Sequence, residues 1–376
     1  MARSIIPAKL LHQSVGLNAK PVRSDFAVET RAKRPSAGPR APSGEQLAAA
    51  VRHLLVDEAS EGQRLDNFLV KLLKGVPKTH LYRVIRSGEV RVNKGRAAAE
   101  TRLALGDDVR IPPVRVAAAR EEIAAGTPPA REFPIVFEDD FVLAVDKPAG
   151  VAVHGGSGVS HGVIEQLRRA RPTAVFLELV HRLDKETSGL LLIAKKRSAL
   201  LALQEQFRQR SSDAPMAKIY DTLVAGAWPA NHKVIDQALH KYLDAAGERR
   251  VRGVDADHAD GRRSITLVKV VQQLPGFSLL EVSLKTGRTH QIRVHLAGAG
   301  HVIVGDEKYG DFALNKAMAR GTAVTGCRFD RMFLHARKLR LTHPHSGETL
   351  ELHAPLPAAC EVLLQALSGS VQRHRQ

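Results

Sequence analysis

The sequence predicts an α+β protein with two folded domains: a small one of two helices and a short sheet, then a larger one around a mixed, largely antiparallel sheet. Three observations lead to this prediction. The chain has 376 residues, too many for one ordinary hydrophobic core. Strand-like runs outnumber helical patterns in its second half. A stretch rich in Pro, Ala, Arg and Glu at 113–131 separates the two parts and is predicted to be a linker.

The composition favours a polyanionic partner. Lys and Arg total 56 against 39 Asp and Glu, which gives a formal net charge of +17. Such a surplus attracts nucleic acid through phosphate neutralisation and counterion release. Aromatic residues make up only 4% of the chain, which argues against broad base-stacking platforms. A protein that recognises RNA by its shape and backbone fits these numbers better.

The ends and the cysteines of the chain indicate its compartment. Cys327 and Cys360 form no CxxC pair, so neither a disulfide framework nor a cysteine zinc site is expected. No apolar run approaches the ~18 residues that span a bilayer, and the N-terminus lacks a secretory leader pattern. We therefore expect a cytoplasmic protein with no membrane partner. Residues 1–48 are predicted to be a disordered basic arm, either a solvated tail or a non-specific attractor of RNA.

Residues 50–112 hold the elements of the small domain. A strand and then two helices are predicted, the first helix beginning near Leu65 and the second at Lys78. Short strands are expected at 90–93 and 108–112. The apolar positions of these elements leave one outer side for four basic residues. They are Lys78, Arg83, Arg86 and Arg91. The cluster has the geometry to grip phosphates, although each charge alone is more simply a solvated side chain.

The large domain is predicted over 132–365, with a tail at 366–376. Its first two strands are expected to form a hairpin, in which the acidic triplet 138–140 makes the turn rather than a metal site. Helices are predicted at 161–170 and 198–208, and the apolar runs between and after them predict strands. These later strands are expected at 219–224, 265–271, 279–284 and 292–296.

The segment 181–189 reads HRLDKETSG and precedes the apolar run 190–194, which is predicted to be a buried strand. It places Asp184 among cationic neighbours at the mouth of that strand. Charged residues in such a place are costly without partners, so this position is a candidate for chemistry. An ionised carboxylate held by a cation can act as a nucleophile. The simpler interpretation is that Asp184 caps a turn or pairs with Arg182.

Two later segments carry further candidates. The first is a predicted strand that contains Tyr220, although a Tyr in a strand is more often core than catalytic. The second reads LKTGRTHQIRVHL over 284–296, and alternation along the strand predicted there would put Arg293 on its polar face. His290 and His295 suggest a metal, but a third ligand at useful spacing is missing. No metal site is therefore expected.

These segments resemble the family of pseudouridine synthases that modify ribosomal and transfer RNA, and residues 50–112 resemble the S4 RNA-binding domain. The resemblance covers about residues 62 to 357. It implies an S4 domain followed by a catalytic domain that isomerises uridine to pseudouridine, with RNA as the partner and no cofactor or metal. We expect the protein to act as a monomer.

The resemblance also implies a role for each candidate. Asp184 would be the nucleophile, attacking C6 of the uracil or C1′ of its ribose, and Arg293 would form a salt bridge to it. Tyr220 would stack on the uracil and could help to remove the C5 proton, although its pKa would need tuning. Arg182 would fill the space left by a flipped-out base, with a simple phosphate contact as the alternative. Arg288 is expected to contact RNA, as are the four basic residues of the S4 domain.

Within the family, the segments 195–200 and 204–207 look most like the C-type branch, which modifies 23S ribosomal RNA of the large subunit. The D-type branch is the nearest alternative, although its motif usually ends in Thr-Thr-Gly where this chain has Thr187-Ser188-Gly189. Two alternatives come from other classes. One is a catalytically silent RNA-binding protein that uses the S4 domain alone. The other is an RNA hydrolase or ligase that depends on a divalent metal.

Overall fold

The computed structural model describes residues 50–73, 76–114, 128–155, 161–209, 216–245, 247–324 and 326–373. The predicted basic arm lies outside these residues, as do residues 115–127 of the predicted linker and the end of the predicted tail. The elements of the small domain follow in chain order. They are β1 (Arg52–Leu55), α1 (Leu65–Leu72), α2 (Lys78–Arg86), β2 (Arg91–Val92), β3 (Gly95–Arg96) and β4 (Asp108–Ile111).

The small domain is an antiparallel sheet of order β1-β4-β2-β3 with both helices packed on one core. Leu65, Leu69 and Leu81 point into that core and are almost fully buried. The β2–β3 hairpin turns at Asn93 and Lys94, whose φ values of 49° and 66° form the left-handed pair that a two-residue hairpin needs. The predicted two helices and small sheet are confirmed.

The large domain follows after residue 131. Its elements are β5 (Ile135–Glu138), β6 (Val142–Lys147), α3 (Val163–Ala170), β7 (Glu178–Leu179), β8 (Ser188–Ala194), α4 (Arg197–Arg208), β9 (Ala217–Ala225), β10 (Val234–Asp236), β11 (Ala238–Leu243), β12 (Arg249–Val254), β13 (Ile265–Leu274), β14 (Phe277–Leu284), α5 (Gln291–Gly298), α6 (Phe312–Arg320), β15 (Leu334–Thr342), β16 (Thr349–His353) and α7 (Ala358–Arg373).

One long sheet runs through this domain in the order β10-β13-β14-β9-β15-β8-β6-β5, with β16 paired to β15 and β7 to β8. Strand β15 pairs in parallel with β8, and the other pairs among the described strands of this sheet are antiparallel. Strands β11 and β12 form a separate hairpin. The predicted mixed, largely antiparallel sheet is confirmed. Strand β8 is buried along its whole length, because apolar cores cover both of its faces.

The strand predicted at 292–296 is wrong, because these residues belong to helix α5. Every residue from Gln291 to Leu296 is buried. A helix that is buried on all sides has no polar face, so its sequence lacks the helical hydrophobic period. The alternation of Ile292, Val294 and Leu296 with polar residues therefore imitated a strand.

Two smaller features of the large domain bear on the predictions. The acidic triplet does make the hairpin turn, since the Asp139 carboxylate accepts from the N–H groups of Phe141 and Val142 at 2.8 and 2.7 Å. Helix α7 continues through the predicted boundary between domain and tail at 365/366, and Leu367 is buried in a core. Among the described residues, every helix is too short or too polar to cross a membrane.

Candidate active site and RNA-binding surface

Asp184 lies in the loop that leads into β8. The loop closes on itself, because the Thr187 N–H donates to the Asp184 carbonyl at 3.2 Å. The buried strand begins at Ser188, so the loop is anchored at a rigid strand end. The Asp184 side chain nevertheless remains 25% exposed. Its carboxylate is therefore firmly placed and still open to a ligand.

Gly189 lets β8 run close beside β15. Its φ of +108° lies in the region that favours glycine, and a Cβ there would collide with the backbone of Ala336. The neighbouring Ser188 is tied down by side chains. Its Oγ accepts from Arg331 Nη2 at 2.6 Å and shares a hydrogen bond with His335 Nδ1 at 2.9 Å. The Ser-Gly pair of the motif thus fixes the end of the Asp184 loop.

Arg293 of α5 is the cation that faces Asp184. Its Nη1 lies 3.2 Å from Asp184 Oδ2, and the Arg293 residue is only 6% exposed. Burial opposes the guanidinium charge, but hydrogen bonds and charge interactions with Asp306 and Asp184 outweigh it and raise the pKa of Arg293. Arg293 is therefore permanently charged and presents that charge to the Asp184 carboxylate.

Asp306 holds the other edges of this guanidinium. It accepts from Arg293 Nε and Nη2, each at 2.7 Å, and from the backbone N–H groups of Lys308 and Tyr309 at 2.8 and 3.0 Å. Burial favours the neutral acid, yet these donors lower the pKa of Asp306. The sequence analysis gave Asp306 no role. The sequence feature that could have indicated a role is the Gly305-Asp306 pair, which follows the segment that contains Arg293.

His290 sits beside the same carboxylate. Its Nε2 lies 3.9 Å from Asp184 Oδ2, and its Nδ1 is 2.8 Å from the Tyr309 hydroxyl, which also accepts from the Val251 N–H at 3.0 Å. The backbone of His290 is left-handed, with φ of +53°, directly before α5. Burial lowers the pKa of His290 despite the nearby Asp184 charge. His290 therefore places a neutral imidazole beside Asp184 from a left-handed backbone position.

The remaining polar residues of α5 bind it to strand β13. Gln291 accepts from Thr286 Oγ1 at 2.8 Å and donates to the Ile265 carbonyl at 3.0 Å. His295 Nδ1 lies 2.8 Å from Thr266 Oγ1, and its Nε2 lies 3.2 Å from a backbone carbonyl. Both His295 nitrogens thus have protein partners. The described residues contain no group of three or more His, Cys, Asp or Glu side chains placed to hold a metal ion.

Tyr220 lies in β9 and packs between two apolar cores next to the Asp184 loop. Burial of the phenol, aided by the negative charge of Asp184, raises the pKa of Tyr220 well above its usual value. The hydroxyl therefore stays protonated at neutral pH. Tyr220, Asp184 and Arg293, predicted from three distant segments, are brought together by β9, the β8 loop and α5.

Lys147, at the end of β6, binds the Asp184 loop through its ammonium, a role that was not predicted from the sequence. Its side chain is fully buried, and its Nζ donates to the carbonyls of Pro148, Val151 and Lys185 at 2.8, 2.8 and 3.0 Å. Burial lowers the pKa of Lys147 to about 7. The ammonium joins the loop after β6 to the loop that carries Asp184. The Asp-Lys-Pro-Ala-Gly sequence at 146–150 was the available signal.

Two predicted RNA-binding arginines lie around the site. Arg182 is exposed, and the structure records no side-chain bond between it and the part of the chain described. Arg288 is partly buried and lines a cleft of about 690 Å³ beside the β11–β12 hairpin. The cleft borders His290 through Thr289 and carries several cationic side chains. Its lining residues are Leu239, His240, Lys241, Val251, Asp260, Arg262, Arg288 and Thr289.

The four basic residues predicted for the S4 surface are all exposed. They are Lys78, Arg83, Arg86 and Arg91. Their side-chain bonds are local: Arg83 lies 2.9 Å from His80 Nδ1, Arg86 donates to the Tyr82 carbonyl, and Arg91 donates to the Lys94 carbonyl. The small domain also contacts the large one, because Arg197 donates to the Glu61 carbonyl. Exposed charge on this domain is thus available to a ligand.

Comparisons with known proteins show what the chain is similar to. Residues 141–298 match the family model described as RNA pseudouridylate synthase, and residues 63–109 match the S4 domain. The chain is 49% identical to ribosomal large subunit pseudouridine synthase C of Yersinia pestis, over 83% of this chain and 93% of that protein. It is 47% identical to the protein of the same name from Escherichia coli K12, over 84% and 96%.

A solved structure gives the same result for the fold. Human RNA pseudouridylate synthase domain containing 4 superposes with a TM-score of 0.50 at 26% identity, covering 62% of this chain and 93% of that one.

Proposed function

The chain belongs to the RNA pseudouridylate synthase family, and we propose that it isomerises particular uridines of large-subunit (23S) ribosomal RNA to pseudouridine. The resemblance of the sequence to this family and to its C-type branch is confirmed. The RNA substrate is proposed because relatives that match most of this chain carry the ribosomal name and because the S4 domain and the charge of +17 suit a polyanion.

One observation carries the chemistry. The Asp184 carboxylate is open to solvent, and the Arg293 guanidinium lies 3.2 Å from it. We propose that the Asp184 carboxylate, paired with this cation, attacks the target nucleoside at C6 or C1′. The N1–C1′ bond then breaks, the uracil rotates, and a C5–C1′ bond forms. The bond between Asp184 and carbon also breaks, by displacement when C5 bonds to C1′ after attack at C1′, or by elimination from C6 after attack there, and the carboxylate is regenerated. One proton leaves C5 and one arrives at N1, so the reaction is an isomerisation that consumes no other reactant.

Tyr220 is proposed to position the uracil rather than to act as a base. Its raised pKa keeps the phenol neutral, and a neutral ring beside Asp184 offers a stacking face. The proton on C5 would then pass to another group of the site or to water. This refines the prediction from the sequence, which left base work open for Tyr220.

The RNA is proposed to contact the protein at two places. The exposed S4 residues would hold phosphates without reading bases, and the cationic cleft lined by Arg288 would hold the strand next to the target nucleotide. A base inside a stem must leave the stack before Asp184 can reach it, at a cost of a few kcal/mol. Arg182, exposed two residues before the nucleophile, is proposed to fill the vacated space.

The remaining features of the protein are proposed on the same basis. The basic arm is assigned to 1–48, the S4 domain to 50–112, the linker to 113–131 and the catalytic domain to 132–365, extended by helix α7 past the predicted start of the tail at 366. We propose that the protein acts in the cytoplasm as a monomer, without a metal or other cofactor. Full activity in the presence of a chelator would separate this function from a metal-dependent hydrolase or ligase.

Mapping of pseudouridine in ribosomal RNA from cells with and without the gene tests the function. We expect particular sites of the large-subunit RNA to lose the modification and to regain it with the wild-type gene but not with Asp184→Asn. Sites that match the D-type branch would correct the subfamily. Unchanged large-subunit RNA would contradict the substrate, and restoration by Asp184→Asn would favour a catalytically silent RNA-binding protein.

A further inference from the structure

Arg293 is shared unequally by two carboxylates. Asp306 takes two hydrogen bonds of 2.7 Å, at Nε and Nη2, whereas Asp184 has a single contact of 3.2 Å at Nη1. Asp306 is 1% exposed and Asp184 is 25% exposed. The buried carboxylate therefore fixes the plane of the guanidinium, and the exposed one meets only its remaining edge.

The turn that carries Asp306 holds Arg293 from a second direction. Tyr309, three residues later, places its ring 5.1 Å from the centre of the guanidinium. The N–H groups of Lys308 and Tyr309 in turn fix the Asp306 carboxylate. Rotation of the Arg293 head would break several of these contacts at once. Nη1 consequently points at the nucleophile before any substrate is bound.

The chemistry proposed above changes the charge on only one of these carboxylates. When Asp184 forms its bond to carbon, the negative charge of Asp184 passes to the departing uracil after attack at C1′, or to the enolate of the uracil adduct after attack at C6. A buried guanidinium paired with Asp184 alone would then lose its counter-ion, at a large cost. Because Asp306 keeps its charge throughout, Arg293 remains compensated and need not move.

We infer that Asp306 is a positioning residue for catalysis: it holds Arg293 in register with Asp184 and keeps the guanidinium paired while Asp184 is covalently bound to the nucleoside. This inference rests on the proposed function and adds to it a residue that acts through Arg293. A purely structural role would instead confine Asp306 to closing the 306–309 turn.

Two substitutions separate these roles. Asp306→Asn removes the charge and keeps an oxygen for the turn, and Asp306→Glu keeps the charge but displaces the carboxylate by one methylene. Asp236→Asn is the matched control, since Asp236 forms the same two-bond pair with Arg263 on the exposed surface. Each protein is mixed in excess with a large-subunit ribosomal RNA transcript. Pseudouridine yield gives the single-turnover rate, and filter binding gives the Kd.

We expect Asp306→Asn and Asp306→Glu each to lower the single-turnover rate by about 100-fold, as a misplaced catalytic contact does. The Kd for RNA should stay within about threefold, because Asp306 is almost completely buried and so does not contact the RNA. In both variants the rate constant should fall while the active fraction stays that of the wild type, which separates misplacement of Arg293 from a loss of folded protein. The Asp236→Asn control should match the wild type.

Three results would overturn the inference. The first is a folded Asp306→Asn protein with a wild-type rate. The second is a loss of active fraction with an unchanged rate constant, which a structural role alone predicts. The third is a wild-type rate in Asp306→Glu. This result decides the matter if Asp306→Asn fails to fold. A wild-type enzyme that forms no pseudouridine in this RNA would refute the proposed substrate instead, so the two failures are distinguishable.

Discussion

The cations of the S4 domain and those of the catalytic centre are chemically alike but differently held. Arg83, Arg86 and Arg91 are exposed, and their side-chain bonds are to close neighbours in the chain. Arg293 is buried, and its bonds run to Asp184 and Asp306, 109 and 13 residues away. The difference teaches that burial decides what a positive charge can do. An exposed cation can exchange water for phosphate, whereas a buried and saturated one can only orient its partners.

Binding and chemistry should therefore be separable in this protein. Loss of an S4 charge should weaken the attraction to RNA and its salt dependence without changing the reaction. Loss of a buried group of the centre should change the reaction or the fold while leaving RNA affinity nearly intact. The predictions below test this separation, beginning with the largest expected effect.

Acid should unfold the catalytic domain through two buried imidazoles. Burial lowers the pKa of His181 and of His335 to about 4. Between pH 6.5 and 4 the unfolded chain binds these protons and the folded chain does not, so stability falls as the pH falls through this window. Each imidazole contributes about 3 kcal/mol to the loss, at about 1.4 kcal/mol per pH unit. Urea unfolding at several pH values measures the effect.

His335→Gln should remove about half of this pH dependence and leave the part due to His181. His345→Gln, at an exposed position, is the matched control. Equal slopes in the wild type and in His335→Gln would contradict the account of this buried site.

Lys147→Met should destabilise the protein by about 2–4 kcal/mol, because three backbone carbonyls would lose a buried donor. The Asp184 loop would also loosen, so the single-turnover rate should fall. Lys338→Met is the control, since its pair with Glu351 is on the surface and should contribute little to stability. Thermal unfolding gives the comparison. Similar losses in the two variants would refute a special role for Lys147.

Tyr220→Phe should keep the pseudouridylation rate within about tenfold of the wild type, because the raised pKa already excludes a phenolate at neutral pH. Tyr220→Ala should lose about 100-fold or more, since the stacking face disappears. Single-turnover assays from pH 6 to 9 measure both. A wild-type rate that rises with pH, together with loss of that rise in Tyr220→Phe, would mean that Tyr220 does act as a base.

The smallest effect is expected on the S4 surface. Arg83→Ala combined with Arg86→Ala should lower the slope of log Kd against log salt by about 2, roughly one per phosphate contact. The rate at saturating enzyme should not change. Arg340→Ala, an exposed arginine of β15, is the matched control. A lower saturated rate in the S4 variant would break the separation of binding from chemistry.

The features that could be predicted from the sequence differ from those that could not by the same contrast between exposed and buried residues. The S4 helices could be predicted because each has one apolar side, the turn because its acidic residues have local turn chemistry, and strand β8 because its sequence is a continuous apolar run. The approach of Asp184 to Arg293 was predicted only as what the family resemblance of two distant segments implies. Helix α5 could not, because its residues are buried all round and leave no period to read.

Buried charges were also beyond a local pattern. Lys147 and Asp306 look like surface residues in the sequence, since charged side chains are rarely fully buried. Their partners are backbone groups and a guanidinium supplied by other segments, and only the assembled sheet brings these together. The same limit applies to His290 and Tyr309, whose contact depends on the fold of the turn after α5.

The most direct test of the central claim is the single-turnover yield of pseudouridine with Asp184→Asn in excess over a large-subunit ribosomal RNA transcript. The account predicts that this variant binds the RNA like the wild type and forms no detectable pseudouridine, because an amide cannot replace the carboxylate as nucleophile. Conversion at more than about 1% of the wild-type rate would show that another group performs the chemistry and would contradict the account.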